Sequence, residues 1–406
     1  MKITYLHQYF HTPAVPGSTR SYEMARRFVE RGHDVNLITA DRHAKPGSGW
    51  RVSDEAGIRV HWLPVPYSNE MSVRERIGAF FKFARGAAQK ASEIPSDLIF
   101  ASSTPLTIAL PAVWASKRHR VPMVFEVRDL WPELPIAMGA LKGAPTIAAA
   151  RRLEKFAYRN AAQVIALSPG MKDGVVKTGY PAARVHLVPN SCDLALFGVP
   201  ESAGERFRAE NDWLGDRPLI VYVGTLGQIN GVAYLAELAA KVRAEVPEVR
   251  FAVYGGGFDA DKLRRRAGEL GVLNETFFMP GPIPKNQVPA VLSAATFASS
   301  LFIDLREMWD NSANKFFDGL AAGRPVLINY GGWQADILHE TDAGLVLDPH
   351  DLDKAKDALL KALNDTAWLK RAGHNARRLA EDRFSRDGLA AELLGVLEQT
   401  HREARR

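Results

Sequence analysis

A lysine near the start of a predicted helix is the residue in this sequence that most directly suggests chemistry. Residues 310–326 read DNSANKFFDGLAAGRPV, and Asn311 or Ser312 is expected to cap a helix that Gly323 ends. Lys315 then lies in the first turn, where the helix dipole disfavours a cation by about 0.3–1 kcal/mol. A bound phosphate would reverse this penalty, because the lysine and the backbone N–H groups would contact one anion.

Asp318 lies three residues further along the same predicted helix. Its carboxylate can accept hydrogen bonds from the hydroxyl groups of a sugar. A capped surface helix with a solvated lysine and a solvated aspartate explains the same local pattern. These residues alone do not decide between the two interpretations.

The elements that must position these residues alternate between strand and helix. Lys2–Leu6 predicts a strand, Ser18 can cap the helix that follows, and Asp34–Thr39 predicts the next strand. Further strands are expected at 58–63, 97–101, 121–127, 163–167, 185–188, 219–223, 250–254, 276–279, 295–303, 325–329 and 344–347. Strands that alternate with helices predict an α/β fold with parallel, doubly wound sheets.

A stretch rich in Pro, Asn, Ser and Asp at 188–193 interrupts this alternation. We therefore expect two Rossmann-like domains, residues 1–195 and 196–382, that face a central cleft. An amphipathic helix at 383–406 is expected to cross back onto the first domain. Ligands of such sheets bind beyond the carboxyl ends of the strands, so functional residues should follow strands.

Composition excludes several classes of protein. The chain has 406 residues, 46% of them hydrophobic, which suits two or three folded domains. Its single cysteine, Cys192, excludes an intrachain disulfide and a thiolate-rich metal site, and a reducing cytoplasm is the expected location. No apolar run reaches the roughly 18–20 residues of a membrane span, and no signal peptide is predicted. The net charge of +6 favours anionic partners.

The segment 310–318 resembles the Glu-x7-Glu motif of family 4 retaining glycosyltransferases, which have two Rossmann-like domains in the GT-B fold. Asp310 and Asp318 stand at the positions of the two glutamates. The residues NSANKFFD and the following LAAG are similar to transferases that add acetylated amino sugars, such as fucosamine, in O-antigen and capsule assembly. The resemblance implies that Asp310 holds the donor sugar and Asp318 the ribose, with Asn311, Ser312 and Asn314 assisting at the helix start.

Other motifs of this family occur in the expected order along the chain. Pro16-Gly17 is similar to the glycine loop before the first helix, and VGTL at 223–226 to the family's Val-Gly-Arg-Leu loop. GGG at 255–257 stands where Gly-x-Gly follows a strand, and GPIP at 281–284 where backbone groups meet the base. The donor-binding residues that these motifs imply are Gly17, Gly224, Thr225, Gly255, Gly256 and Ile283.

Two departures from the family pattern affect the predicted site. Many relatives carry an arginine and a lysine on the donor diphosphate, where this chain has Thr225 and Asn230. We expect Lys315 and the helix start to stabilise the leaving diphosphate in their place. The family's His-Asp-x-x-Pro is Arg128-Asp129-Leu130-Trp131-Pro132 here, and an arginine cannot serve as a base at neutral pH.

Arg128, Asp129 and Glu126 are therefore expected to line the acceptor side, with Arg128 orienting a sugar or phosphate and Asp129 contacting the acceptor hydroxyl. An ion pair of Arg128 with Asp129 or Glu126 that braces a loop is the alternative. No metal site is predicted, since His7 and His11 lie on a strand-to-loop segment and no Asp-x-Asp occurs. No cofactor is expected.

The segment 70–90 combines basic residues with an apolar stripe. Such a helix can lie in a membrane interface, where each cation near anionic lipid contributes about 1 kcal/mol. A helix packed in the core with a solvated basic rim is the alternative. The basic residues are Arg74, Arg76, Lys82, Arg85 and Lys90, and the apolar residues include Val73, Ile77, Phe80, Phe81, Phe83 and Ala84.

The sequence thus predicts a retaining, metal-independent glycosyltransferase of bacterial surface glycan assembly. The expected donor is a UDP-sugar carrying an N-acetylated amino sugar, and the expected acceptor is lipid-linked or a polysaccharide. We expect a cytoplasmic enzyme, peripheral on the inner face of the plasma membrane. Two alternatives stay open: a sugar-nucleotide epimerase of the same fold, and a non-catalytic protein that binds acidic lipid or nucleic acid. No nucleic-acid-binding motif was found, so no nucleic-acid partner is expected.

Overall fold

The computed structural model of the chain describes residues 1–15, 17–45, 47–68 and 71–406, without the side chain of Val73. Pro16 of the predicted glycine loop and Glu70 of the predicted basic segment lie outside the described residues. The chain forms two compact units, one of residues 1–189 with 387–406 and the other of residues 190–386. Each unit contains a sheet with helices packed against it.

The sheet of the first unit has the strand order β3-β4-β2-β1-β5-β6-β7-β8. All neighbours are parallel except β3 and β4, an antiparallel pair whose first strand the sequence did not predict. The strands are β1 Lys2–Leu6, β2 Asp34–Asp41, β3 Arg51–Glu55, β4 Ile58–Pro64, β5 Leu98–Ser102, β6 Met123–Val127, β7 Gln163–Ala166 and β8 Val185–Leu187. The helices are α1 Arg20–Glu30, α2 Val73–Glu93, α3 Ala109–His119, α4 Glu133–Ala137, α5 Ala144–Asn160 and α6 Pro169–Lys177.

The sheet of the second unit is parallel throughout, in the order β11-β10-β9-β12-β13-β14. Its strands are β9 Leu219–Val223, β10 Arg250–Tyr254, β11 Phe277–Phe278, β12 Phe297–Ser300, β13 Val326–Ile328 and β14 Gly344–Val346. Its helices are α7 Glu201–Ala209, α8 Ala233–Arg243, α9 Ala260–Glu269, α10 Val288–Ala294, α11 Asn314–Ala321, α12 Trp333–Thr341, α13 Leu352–Asn364 and α14 Thr366–Arg383.

Central strands are buried along almost their whole length, and helices pack against both sheets. Every residue of β5 and of β6 is buried, and so are the first four residues of β9. Apart from Ser102 and Glu126 these residues are apolar, as is typical of parallel strands covered on both sides. The predicted α/β class with two doubly wound sheets is therefore confirmed.

The last helix, α15 Arg386–Ala404, belongs to the first unit from Asp387 onward. Arg27 of α1 donates to the Asp387 carboxylate at 2.6 Å. The His33 ring contacts Glu398 at 3.2 Å, and His401 contacts the carbonyl oxygen of Asp97 at 3.2 Å. These contacts join the end of the chain to α1 and to the start of β5.

Candidate functional site

Helix α11 carries the lysine and the aspartate that the sequence singled out, but its start differs from the prediction. The N-cap is Ala313, which provides no side-chain hydrogen bond, so the predicted cap at Asn311 or Ser312 is wrong. The Ser312 hydroxyl instead accepts from the backbone N–H of Asn190 at 3.1 Å. The N–H groups of the first turn therefore receive no side-chain cap from the N-cap residue.

Lys315 extends from the first turn of α11 to the end of β9. Its Nζ lies 5.2 Å from the centroid of the Tyr222 ring. A Cβ at Gly224 would lie 2.5 Å from Lys315 Cε, so a larger residue there would displace the lysine side chain. Burial lowers the pKa of Lys315 to about 8, although Asp318 opposes the shift. No carboxylate among the described residues lies within 4.0 Å of this ammonium group, and Asp318 pairs with Lys285 instead.

The glycine loops after β9 and β10 contact each other through their backbones. The Leu226 N–H donates to the Gly256 carbonyl at 2.9 Å, and a Cβ at Gly255 would collide with the Gly224 carbonyl oxygen. The structure thus brings Gly224, Gly255, Gly256 and Lys315 together, although they are far apart in sequence. Thr225, which follows Gly224, is exposed.

Asp318 forms an ion pair that sequence reasoning missed. The Lys285 ammonium donates to Asp318 Oδ2 at 2.6 Å and lies 5.0 Å from the centroid of the Phe197 ring. Lys285 comes two residues after Ile283, so this pair ties the predicted base-binding loop to α11. A single sequence does not show that two residues 33 positions apart form an ion pair. The proximity of Lys285 to Ile283 was the only feature of the sequence that pointed to this lysine.

Asp310 ends a short 3-10 turn, Arg306–Asp310, before α11. Arg306 Nη1 donates to its carboxylate at 3.3 Å, and the Asp310 side chain is 24% exposed. The Arg306 guanidinium also lies 4.9 Å from the centroid of the Trp309 ring. Contact of Asp310 with a donor sugar stays a prediction.

In the first unit, Arg128 follows β6 and its guanidinium binds two side chains from other loops. Nη1 lies 3.1 Å from Nε2 of His7, and Nη2 donates to the Ser18 hydroxyl at 3.0 Å. The predicted cap at Ser18 is therefore wrong, and the N-cap of α1 is Thr19. Arginine cannot accept a hydrogen bond, so His7 Nε2 must be the acceptor and Nδ1 donates to Ser21, 2.8 Å away.

His7 and His11 were considered in the sequence only as metal ligands, and each contacts an arginine instead. Burial, with the nearby Arg128 guanidinium, lowers the pKa of His7 well below its usual value. Burial and Arg42, whose Nη2 lies 2.5 Å from His11 Nε2, lower the pKa of His11 to about 4. Both rings are therefore neutral at pH 7. The described residues contain no group of three or more His, Cys, Asp or Glu side chains placed to hold a metal ion.

Glu126 is fully buried and has no surface to offer a ligand. Oε1 accepts from Nε and Nη2 of Arg20 at 3.0 and 2.9 Å, and Oε2 accepts from the Ser102 hydroxyl at 2.5 Å. Burial opposes ionisation, but the guanidiniums of Arg20 and Arg128 outweigh it and hold the pKa of Glu126 below its usual value. The expectation that Glu126 lines the acceptor side is corrected, because its contacts brace Arg20.

Asp129 stands beside Arg128 without forming an ion pair within 4.0 Å in the part of the chain described. Burial raises the pKa of Asp129 to about 6, against the opposing charge of Arg128. The carboxyl group can therefore gain or lose a proton near neutral pH. The predicted bracing pairs of Arg128 with Asp129 or Glu126 do not form; the pair that does form is Arg20–Glu126.

Helix α2 has one buried and one exposed apolar face. Phe83, Ala87 and Ala91 are in the core of the first unit, whereas Ile77 is 46% and Phe81 54% exposed. The buried face is that of a helix packed in the core, and docking of the exposed face at a membrane stays a prediction. No helix in the described ranges is long and apolar enough to cross a membrane.

Two family models match this chain, one in each part. Residues 17–191 match the glycosyl transferase 4-like domain, and residues 204–379 match the glycosyl transferases group 1 model.

Two curated relatives and one solved structure extend this result. Alpha-D-kanosaminyltransferase of Streptomyces kanamyceticus is 23% identical over 61% of this chain and 63% of its own length. The GDP-mannose-dependent alpha-(1-6)-phosphatidylinositol monomannoside mannosyltransferase of Mycolicibacterium smegmatis is 26% identical over 73% of this chain and 75% of its own length. Anabaena Alr3699/HepE in complex with UDP and glucose has a TM-score of 0.75 at 18% identity, covering 98% of this chain and 100% of that one. The fold of the present chain is that of GT-B glycosyltransferases.

Proposed function

Since this chain joins a glycosyl transferase 4-like domain to a glycosyl transferases group 1 domain, we propose that it is a retaining, metal-independent glycosyltransferase. It transfers a sugar, an N-acetylated amino sugar in our proposal, from a UDP-sugar to a lipid-linked or polysaccharide acceptor. The product belongs to a bacterial surface glycan.

The observation that carries this proposal is the Lys315 ammonium group against Gly224. It is a partly buried cation without a carboxylate partner among the described residues, at the start of a helix whose N-cap provides no side-chain hydrogen bond. Negative charge that develops on a departing diphosphate is stabilised most strongly by such a preorganised donor group. Lys315 thereby replaces the arginine and lysine that Thr225 and Asn230 cannot supply.

The other residues have separate roles in the proposed reaction. Asp318 accepts hydrogen bonds from the ribose through the oxygen that Lys285 leaves open, and Asp310 holds the donor sugar. The acceptor hydroxyl approaches the face from which the diphosphate departs, so no protein nucleophile is required. Arg128 orients the acceptor and Asp129 receives its hydrogen bond, with Glu126 and Arg20 as a brace behind them.

The names of the relatives support the substrate classes. One relative is a kanosaminyltransferase, another is GDP-mannose-dependent and acts on a phosphatidylinositol monomannoside, and the structural neighbour is in complex with UDP and glucose. Together they favour a nucleotide-sugar donor and are compatible with an amino sugar and a lipid-linked acceptor.

Calorimetric titration tests the donor side. UDP, GDP, ADP and CMP are titrated with and without EDTA into the wild type, Lys315→Met and the exposed-lysine control Lys354→Met. Tight binding of one nucleoside diphosphate, unaffected by EDTA and weakened only in Lys315→Met, is the expected result. Absence of binding by all four nucleotides, or equal binding by Lys315→Met, contradicts the assignment.

The exposed face of α2 supports docking on the inner face of the plasma membrane. Arg74, Lys82 and Arg85 are exposed beside Ile77 and Phe81, so cations and apolar side chains share this face. Vesicles with and without anionic phospholipid test it by co-sedimentation. We expect binding only to anionic vesicles, weakened in Phe81→Ser but not in the exposed control Val52→Ser, which lies on β3. Equal binding by Phe81→Ser and wild type would contradict it.

A further inference from the structure

A cavity of about 440 Å³ lies in the second unit, among α7, α10, α14 and the turn after α11. Its lining includes Thr296, directly before β12, and Pro325, directly before β13. It therefore lies at the amino ends of these strands. The glycine loops of the candidate donor site follow the carboxyl ends of β9 and β10, at the opposite edge of the same parallel sheet. The proposed reaction leaves this cavity unused.

Two arginines in the cavity wall donate hydrogen bonds to backbone carbonyl groups. Arg324 Nη2 donates to the Ser293 carbonyl at 2.5 Å, and its Nε is buried with no hydrogen-bond partner among the described residues. Arg208 donates to the Gly215 and Ala294 carbonyls at 2.7 and 2.5 Å. Neither guanidinium has a carboxylate within 4.0 Å in the described part of the chain. Burial lowers the pKa of both, although Asp216 opposes the shift at Arg208 and Glu201 opposes it at Arg324.

A buried guanidinium N–H without an acceptor indicates a missing hydrogen-bond partner. Phosphate and carboxylate groups match the fork of N–H donors on arginine better than any neutral group does. Lys370, also in the cavity wall, adds a third cation. These groups favour an anion in the cavity.

Two glutamates of α7 restrict which anion would bind. Glu201 and Glu205 line the same cavity, and their carboxylates repel a bare anion but accept hydrogen bonds from hydroxyl groups. The cavity is also far larger than one phosphate group. We propose that this cavity binds a small phosphorylated metabolite with several hydroxyl groups, of the hexose phosphate class, its phosphate on Arg324 and Arg208 and its hydroxyls on the glutamates.

The cavity borders the turn that ends α11, the helix that carries Lys315 and Asp318. The Arg324 N–H donates to the Gly319 carbonyl at 3.1 Å, and a Cβ at Gly373 would lie 2.7 Å from the Gly323 carbonyl oxygen. A ligand on Arg324 thus contacts the segment that holds the end of α11. Binding of this ligand does not depend on the proposed function. An effect of the bound ligand on the affinity for the nucleotide-sugar donor does rest on the proposed function.

Calorimetry with glucose 6-phosphate, inorganic phosphate and glucose tests the proposal on the full chain. Glucose 6-phosphate should bind saturably, and more tightly than either fragment. Arg324→Met should weaken it by about 10- to 100-fold, the usual contribution of charged hydrogen bonds. The control Arg378→Met, an arginine of α14 that is 71% exposed and outside the cavity, should bind like the wild type.

Lys370→Met provides a second variant whose side chain is exposed, so the fold should tolerate it. It should weaken glucose 6-phosphate binding several-fold with an unchanged unfolding curve. The proposal is overturned if glucose 6-phosphate does not bind, if glucose or phosphate alone binds as tightly, or if neither Arg324→Met nor Lys370→Met changes its affinity. If the chain has no UDP site, the proposed function fails but glucose 6-phosphate still binds. Repeating the titration with UDP present therefore distinguishes the failure of one proposal from the failure of the other.

Discussion

The carboxyl-end edges of the two sheets hold their charged groups in different ways. In the first unit, side chains from separate loops contact each other, as Arg128 does with His7 and Ser18, and as Arg20 does with Glu126. In the second unit, glycine loops contact through their backbones and leave Lys315 without a carboxylate partner among the described residues. The first edge is braced by side-chain contacts, whereas the second contains an ammonium group without an ion-pair partner among the described residues.

The two ion pairs at these edges show the difference in burial. The Arg20 and Glu126 side chains are 2% and 0% exposed, whereas those of Lys285 and Asp318 are 32% and 15% exposed. A fully buried pair fixes structure because neither partner can be resolvated when the other is removed. A partly exposed pair can exchange one of its contacts for a ligand. Five predictions test this contrast.

Glu126→Gln should have the largest effect, on stability. It leaves the buried Arg20 charge uncompensated, which costs about 3–5 kcal/mol of unfolding free energy. Asp318→Asn, in the partly exposed pair, should cost about 1 kcal/mol or less. Urea unfolding of the full chain measures both. Similar losses in the two variants would contradict the contrast.

Lys315→Met should leave the free energy of unfolding unchanged or higher, since it removes a partly buried ammonium group that has no ion-pair partner among the described residues. The turnover of donor sugar should fall by about 100- to 1,000-fold, the usual loss when one preorganised charge-stabilising group is removed. Steady-state transfer assays, with Lys354→Met as the exposed control, measure this. Unchanged turnover would show that Lys315 is structural.

The activity should depend on pH through one group of each unit, Lys315 on the alkaline side and Asp129 on the acidic side. Burial lowers the pKa of Lys315 from 10.5 to about 8, so diphosphate binding should fall as pH rises through 8, by up to about tenfold per pH unit. Because the folded chain loses this proton first, the same group makes unfolding free energy rise with pH between about 8 and 10.5. Nucleotide titrations from pH 7 to 10 measure this loss of affinity, which should be absent in Lys315→Met.

Asp129 should produce the acidic limb. Burial raises its pKa from 3.8 to about 6, so transfer should increase as pH rises through 6 and the carboxylate forms. The folded chain retains this proton longer than the unfolded chain, so the same group makes unfolding free energy fall as pH rises from 3.8 to about 6. Transfer rates from pH 5 to 8 in the wild type and Asp129→Asn measure this limb, and its persistence in the variant would exclude Asp129.

Lys285→Ala should have the smallest effect. Loss of the contact that orients Asp318 should weaken nucleotide binding by about five- to tenfold, the contribution of one partly exposed charged hydrogen bond. KM should rise with kcat little changed, because the contact acts on binding and not on the reacting bond. Lys285→Arg should restore affinity. A fall in kcat at constant KM would contradict this positioning role.

Local signals predicted the elements well where strands are buried on both faces. Leu219–Val223 and Arg250–Tyr254 match the predicted strands residue for residue, because long apolar runs between turn residues leave few alternatives. Strand β3 was missed because its residues are mostly exposed and charged, and it is stabilised by antiparallel pairing with β4.

Predicted helix caps failed for a different reason. Ser18 and Ser312 are good capping residues, but Ser18 accepts from Arg128 and Ser312 accepts from the Asn190 backbone. The partners lie 110 and 122 residues away. Capping propensity reflects only hydrogen bonds to nearby backbone groups. It therefore cannot predict that a donor distant in sequence binds the serine hydroxyl instead.

The sequence by itself determined the two α/β units, the glycine loops after strands and the segment that contains Lys315 and Asp318, because these depend on periodicity, turn residues and motif spacing. Only the tertiary structure decided which charges meet. It paired Glu126 with Arg20, Asp318 with Lys285 and His7 with Arg128, and it left Lys315 against Gly224. Side-chain partners across a sheet edge come from loops far apart in the chain, and their distances are set by strand order and register.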